Sequence, residues 1–133
     1  MSENKRILLV DDEEDFVKST ALRLRFEGYE VLEASDGPSA VDIAMKKKPD
    51  LILLDIMMPG LSGVEVCEKL HSDPKTSHIP IIFLTVWDRL VPESALRGVN
   101  QHKCLIKPFD FQNLIDMIKD SLKAKAKRSK VKG

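Results

Sequence analysis

Three short apolar runs constrain this chain more than any other feature: Ile7-Leu8-Leu9-Val10, Leu51-Ile52-Leu53-Leu54 and Ile79-Pro80-Ile81-Ile82-Phe83-Leu84. A strand with one wetted face alternates apolar and polar residues. Runs without that alternation, bounded by turn signals such as Pro49 and Pro59-Gly60, predict strands covered on both faces, the environment of a parallel sheet. Each run also ends on a polar group: Asp11-Asp12, Asp55 and Thr85. In parallel α/β sheets, ligands bind in the crevice beyond the carboxyl ends of the strands. An acid at that place is costly to bury without a partner.

Helical patterns fill the gaps between the runs. A first helix is predicted over about Glu13–Glu27, with Phe16, Thr20, Ala21 and Leu24 at helical spacing, acids in its first turn and Gly28 as its stop. Tyr29–Ala34 alternates enough for a strand nearer the sheet edge. After the turn Ser35-Asp36-Gly37-Pro38, a helix over about Ser39–Lys47 turns Val41, Ala44 and Met45 inward. Further helices are predicted over Gly63–Ser72 and, more weakly, Pro92–Val99. A last strand, Lys103–Ile106, ends at Lys107-Pro108. The final helix starts near Asp110 with the stripe Phe111, Leu114, Ile115, Ile118 and Leu122. Strand and helix thus alternate five times, with connections too long for hairpins. The predicted fold is α/β, a doubly wound, five-stranded parallel sheet with five helices in a single domain.

With 133 residues, 43% apolar and 32% charged, the chain has the composition of an ordinary globular domain. No apolar run reaches the ~20 residues of a membrane span, and the N-terminal segment lacks the pattern of a secretory signal. Cys67 and Cys104 lie far apart without paired spacing, which suggests a reducing, cytoplasmic setting and two small apolar fillers. His71, His78 and His102 are isolated and read as surface residues. Formal net charge is zero, but six of the 21 basic residues follow Ser121 and no acid does, so the preceding 120 residues hold 21 acids against 15 bases. An acidic body with a basic tail does not predict direct nucleic-acid binding by the domain. The tail, 123–133, reads as a disordered or fraying helix end, with contact to an acidic partner, nucleic acid or a membrane surface as the competing role.

The strand ends carry the chemistry. Asp11, Asp12, Asp55, Thr85 and Lys107 are far apart in sequence but fall at one edge of the predicted sheet. Three carboxylates in one crevice repel unless a cation is present. Oxygen donors in small number suit Mg²⁺, which keeps several waters and binds beside phosphate. A lysine and a hydroxyl opposite would complete a cradle for phosphoryl oxygens. In such a site one carboxylate can attack phosphorus and become an acyl phosphate. Glu14 and Asp15 read as helix N-terminal charges, not ligands.

Taken together, Asp11-Asp12, Asp55 before Met58-Pro59-Gly60, Thr85 and Lys107-Pro108-Phe109 resemble the receiver domain of two-component response regulators, over about residues 5–122. The resemblance implies the flavodoxin-like strand order 2-1-3-4-5, with Asp55 as phosphoacceptor. Asp12, Asp55 and the Met57 backbone carbonyl would bind Mg²⁺, with Asp11 acting through water. Thr85 and Lys107 would hold phosphoryl oxygens, and the Lys107–Pro108 peptide would be cis. It further implies a sensor histidine kinase or phosphotransfer protein as donor. The output would be a downstream target or linked output domain engaged through the face of the fourth helix, fifth strand and fifth helix, with a phosphorylation-dependent homodimer as a further expectation. Such a domain catalyses only its own phosphorylation and slow dephosphorylation. Nothing after the final helix is long enough for an output domain, which leaves a stand-alone receiver and a piece of a longer regulator both open.

Two positions depart from the family pattern. A small residue usually follows the threonine; here Val86 does, then Trp87. With Met57 shielding Asp55, Val86 should slow exchange of phosphodonors and water, and a Val86→Ala protein with unchanged rates would count against that. Three residues before the lysine, where the family often places Tyr or Phe, stands Cys104, so the aromatic half of the usual switch is missing. Among other functions, a haloacid-dehalogenase-type phosphatase wants an acid two residues after the nucleophile, where Met57 stands. Nucleotide binding lacks a Gly-rich loop after any strand. A phosphorylation-independent interaction module with the same fold remains an alternative.

Overall fold

The structure is a computed structural model, and it describes residues 4–86 and 103–132. In chain order the elements are β1 (Arg6–Val10), α1 (Glu14–Phe26), β2 (Glu30–Ala34), α2 (Gly37–Lys47), β3 (Leu51–Asp55), α3 (Gly63–His71), β4 (Ile81–Val86), β5 (Lys103–Lys107) and α4 (Phe111–Lys132). All four strand pairings are parallel, and the sheet order is β2-β1-β3-β4-β5. The order expected from the sequence therefore holds, and β2 lies at the edge as its alternation implied. Four helices stand among the described residues rather than five, because the helix expected over 92–99 lies outside them.

The unbroken runs divide between two layers because successive side chains of a strand point to opposite faces. Leu8, Val10, Ile52, Leu54, Ile81 and Phe83 pack with Ala40 and Ala44 of α2 and with Val66, Cys67 and Leu70 of α3. Ile7, Leu9, Leu51, Leu53, Ile82 and Leu84 pack instead with Val17, Ala21 and Leu24 of α1 and Leu114, Ile115 and Ile118 of α4. The central strands β1 and β3 are buried throughout, apart from the first residue of β1. Truncating such a side chain, for example Leu53→Ala, costs about 2–5 kcal/mol by lost transfer energy plus the cavity left behind.

Several boundaries differ from the sequence expectation. α2 begins at Gly37, not Ser39: Asp36 caps it by accepting from the Ser39 N–H at 2.8 Å, and Pro38 sits in the first turn, where a missing N–H does no harm. β4 begins at Ile81 because Pro80 has no N–H for the ladder, although its carbonyl still accepts from the Ile52 N–H at 3.0 Å. α4 runs on through the basic segment to Lys132. Cys67 is the expected filler, 5% exposed, with its thiol pushed up to about 11 chiefly by burial. Cys104 is not: it is exposed on β5, which corrects its assignment as a filler.

Candidate functional site

The strand register brings the polar ends together. Val10 pairs with Leu54, Asp55 with Leu84, Thr85 with Ile106 and Val86 with Lys107. Asp11 follows Val10, so it, Asp55, Thr85 and Lys107 all stand at the carboxyl edge of neighbouring strands. By the period-two alternation, Asp11 continues the Ile7, Leu9 row and Asp55 the Leu51, Leu53 row, which places both on the α1/α4 side.

The turn after β3 is shaped by two glycines. Gly60 adopts φ +76°, in the left-handed region that L side chains avoid. Gly63 opens α3 so close to the strand end that a Cβ there would lie 2.2 Å from the Asp55 carbonyl oxygen. Its N–H donates to the Ile56 carbonyl at 3.0 Å. A capping box fixes the same helix start: Ser62 Oγ accepts from the Glu65 N–H, and Glu65 Oε1 accepts from the Ser62 N–H at 3.1 Å. The end of β3 is thereby pinned against the start of α3, which bonds the Ile56 carbonyl and leaves no room for a side chain beside that of Asp55.

Asp11, Asp12 and Asp55 offer carboxylate oxygens that all lie within 4.8 Å of one another. Asp11 is fully buried, Asp55 is 5% exposed and Asp12 is exposed. Asp11 accepts from the Glu13 N–H at 2.9 Å and from Lys107 Nζ. Lys107, with a side chain only 10% exposed, also has Glu13 Oε1 at 3.6 Å. Asp55 Oδ1 accepts from the Met57 N–H at 3.2 Å, while the Met57 side chain is half exposed. Thr85, 7% exposed, lies one step beyond the residue paired with Asp55. Asp11 and Asp12 line a cleft of about 420 Å³ with Glu14, Lys18, Glu33 and Ser35.

Electrostatics here are unbalanced. Burial pushes the Asp55 carboxyl up to about 7, the Asp11 charge adds to it, Lys107 and the Met57 N–H pull the other way, and Asp12 adds a further push. A cation among the three acids would relieve this. Oxygens sharing one Mg²⁺ at about 2.1 Å lie no more than about 4.2 Å apart, so a set already within 4.8 Å needs only a small contraction. The donor chemistry, hard oxygen with no nitrogen or sulfur, also fits such an ion.

Of the expected site residues, Asp11, Asp12, Asp55 and Lys107 are brought together, and Thr85 stands at the same edge. Val86 ends β4 and Trp87 lies outside the described residues. Glu14 is indeed a helix-surface charge, paired with Lys18 at 2.9 Å. Sequence reasoning missed two neighbours of Lys107. Glu13 is one, and the other is Phe16, whose ring centroid lies 4.1 Å from Lys107 Nζ. Phe16 sits one helical turn beyond Asp12, a spacing that aims it back over the strand end.

No helix among the described residues is long and apolar enough to cross a membrane. The sequence profile of the response regulator receiver domain matches residues 7–119. Response regulator PleD of Caulobacter vibrioides is 51% identical over 83 residues, which is 62% of this chain and 18% of that protein, so the chain spans under a fifth of that relative. A CheY-like response regulator receiver domain protein from Methanospirillum hungatei superposes with a TM-score of 0.85 at 29% identity, covering 95% of this chain and 99% of the other. The chemotaxis protein CheY4 of Vibrio cholerae gives 0.80 at 27% identity, covering 90% and 99%. With the acids, the threonine and the lysine in place on the sheet order of that fold, the chain belongs to the response regulator receiver domain family of two-component signalling.

Proposed function

We propose that this receiver accepts a phosphoryl group on Asp55 from the phosphohistidine of a sensor kinase or phosphotransfer protein. One observation carries the proposal: the buried Asp55 carboxylate shares its strand edge with two further acids, all within 4.8 Å, and with a lysine paired to one of them, Asp11. In the reaction an Asp55 oxygen bonds to phosphorus as the phosphorus–nitrogen bond of the donor breaks, and the imidazole leaves with its electron pair and takes up a proton. No general base is needed, because an ionised carboxylate is itself the nucleophile. Its tendency to stay protonated near neutrality must first be overcome.

Asp12, Asp55 and the Met57 carbonyl would hold Mg²⁺ directly, and Asp11 would hold it through water. Bound there, Mg²⁺ supplies the positive charge that keeps Asp55 ionised and offsets charge on the transferring group. Lys107 Nζ and the Thr85 hydroxyl donate to phosphoryl oxygens. Lys107 is already at the site, held by Asp11. The domain acts as a switch, not a turnover enzyme, limited to its own phosphorylation and slow dephosphorylation, in the cytoplasm. Its outputs are a protein target or linked output domain, or a second copy, engaged through the face that includes β5 and α4. A second reading, an interaction module whose contacts ignore phosphorylation, is favoured by exposed Cys104, which supplies no aromatic ring to turn inward on β5.

The test is incubation with Mg²⁺ and acetyl phosphate, followed by intact mass. A phosphoryl-sized gain that needs both Mg²⁺ and Asp55 supports the first reading. No gain at any Mg²⁺ concentration, with the fold intact, supports the second.

A further inference from the structure

We propose that Phe16 is a positioning residue for Lys107: the face of its ring steadies the ammonium group and lets it pass between Asp11 and a phosphoryl group on Asp55. The proposal rests on the phosphoacceptor role of Asp55. Lys107 Nζ lies 4.1 Å from the Phe16 centroid, the range in which a ring quadrupole attracts a cation, and the lysine is nearly sheltered from water, which strengthens that attraction.

Among the described residues, the groups that pair with the ammonium are anions, Asp11 and Glu13, and the Asp55 charge also acts on it. An anion holds a lysine by a directed hydrogen bond, and leaving it exposes both partners. A ring face attracts the cation over a broad area and accepts no proton. It therefore favours a sheltered ammonium without tying it to one oxygen. Leucine at this position would keep the apolar wall but lose that attraction.

The ring is itself braced. Phe109, two residues after Lys107, meets it edge to face at 6.1 Å and 88°. Two turns further along α1, Arg23 lies 4.0 Å over the Phe111 ring. Phe16 and Arg23 are seven residues apart and so share one helix face. α1 is thus latched at two points to the segment that carries Lys107, and the lysine's place is set by a helix as well as by its own strand.

The test compares the full chain with Phe16→Leu, Phe16→Tyr and a ring-fluorinated phenylalanine at position 16, which keeps the shape but weakens the quadrupole. Phosphorylation at saturating acetyl phosphate should slow about three- to tenfold in Phe16→Leu and in the fluorinated protein. Phe16→Tyr should stay near the parent, and Mg²⁺ affinity should hold throughout. If Phe16→Leu fails to fold, the fluorinated protein decides, because its packing is preserved. A fluorinated protein as fast as the parent would overturn the proposal. A second readout needs no phosphoryl chemistry: the Lys107 side-chain NMR signals should be displaced by the ring in the parent and return toward ordinary values in Phe16→Leu. If those signals do not move, the ring does not hold the lysine. A parent that takes no phosphoryl group but shows the ring shift sinks the role of Asp55 and leaves the contact standing.

Discussion

Replacing Asp55 by asparagine should make the metal-free protein more stable above neutral pH and leave it unchanged in acid. The folded state holds the Asp55 carboxyl at about 7 against an ordinary 3.8, chiefly through burial and then through the Asp11 charge. A raised carboxyl means that the folded state binds the proton more tightly than the unfolded chain does. Below about pH 4 both states are protonated and nothing is lost. Between about 4 and 7 the unfolded chain ionises first, so stability falls; above 7 both states are ionised and the full cost remains. At full strength the displacement corresponds to about 4 kcal/mol. The neighbouring acid Asp12 is exposed, and screening of the cluster from that side together with local relaxation brings the expected cost to about 1–2 kcal/mol. For a domain of this size that is about 3–8 °C in the melting midpoint. Midpoints of parent and Asp55→Asn, measured without divalent ions from pH 4 to 8.5, should converge at the acid end and diverge steadily through the window. Adding Mg²⁺ at pH 8 should raise the parent by mass action and hardly move the variant. A difference that does not change with pH, or a variant less stable than the parent at pH 8, would refute the electrostatic account of the site.

Three further outcomes test other parts of it. Gly63→Ala should destabilise by about 1–3 kcal/mol in chemical denaturation despite the better helix propensity of alanine, because its Cβ meets the Asp55 carbonyl and must displace it; an unchanged midpoint would show that the turn can yield. Lys107→Met leaves fully buried Asp11 without its cation and should cost about 3–5 kcal/mol, with much of that recovered in the double variant with Asp11→Asn. Mg²⁺ added to unbuffered protein at pH 6.5 should release protons, since ligation needs Asp55 ionised, and release should vanish by pH 8.5; equal release at both would mean that Asp55 is not a ligand.

Much of the fold was legible because the informative residues obey a local rule. Ile7–Val10 and Leu51–Leu54 have no polar alternation, and a sheet wrapped on both faces is the environment that allows this. The site was legible for a related reason: in a parallel sheet, residues at strand ends become neighbours whatever their separation in sequence, so Asp11, Asp55, Thr85 and Lys107 could be grouped before any distance was known. What escaped depends on packing between elements. Phe16 is marked as core-facing by its spacing, yet its ring is only half buried and meets Lys107 because the β5–α4 connection folds back over α1. Glu13 looks like a helix-end charge, and only the path of Lys107 makes it part of the site. The start of α2 was missed because Asp36-Gly37-Pro38 serves equally as a turn and as a cap followed by a first-turn proline.

The most direct measurement is the location of the phosphoryl group. After treatment with Mg²⁺ and acetyl phosphate, borohydride reduction converts an aspartyl phosphate to homoserine, and peptide mass mapping reads the position. The account predicts homoserine at residue 55, dependent on Mg²⁺ and absent from Asp55→Asn. A phosphoryl group mapped to another side chain, or no reduction product from a folded parent, would contradict it.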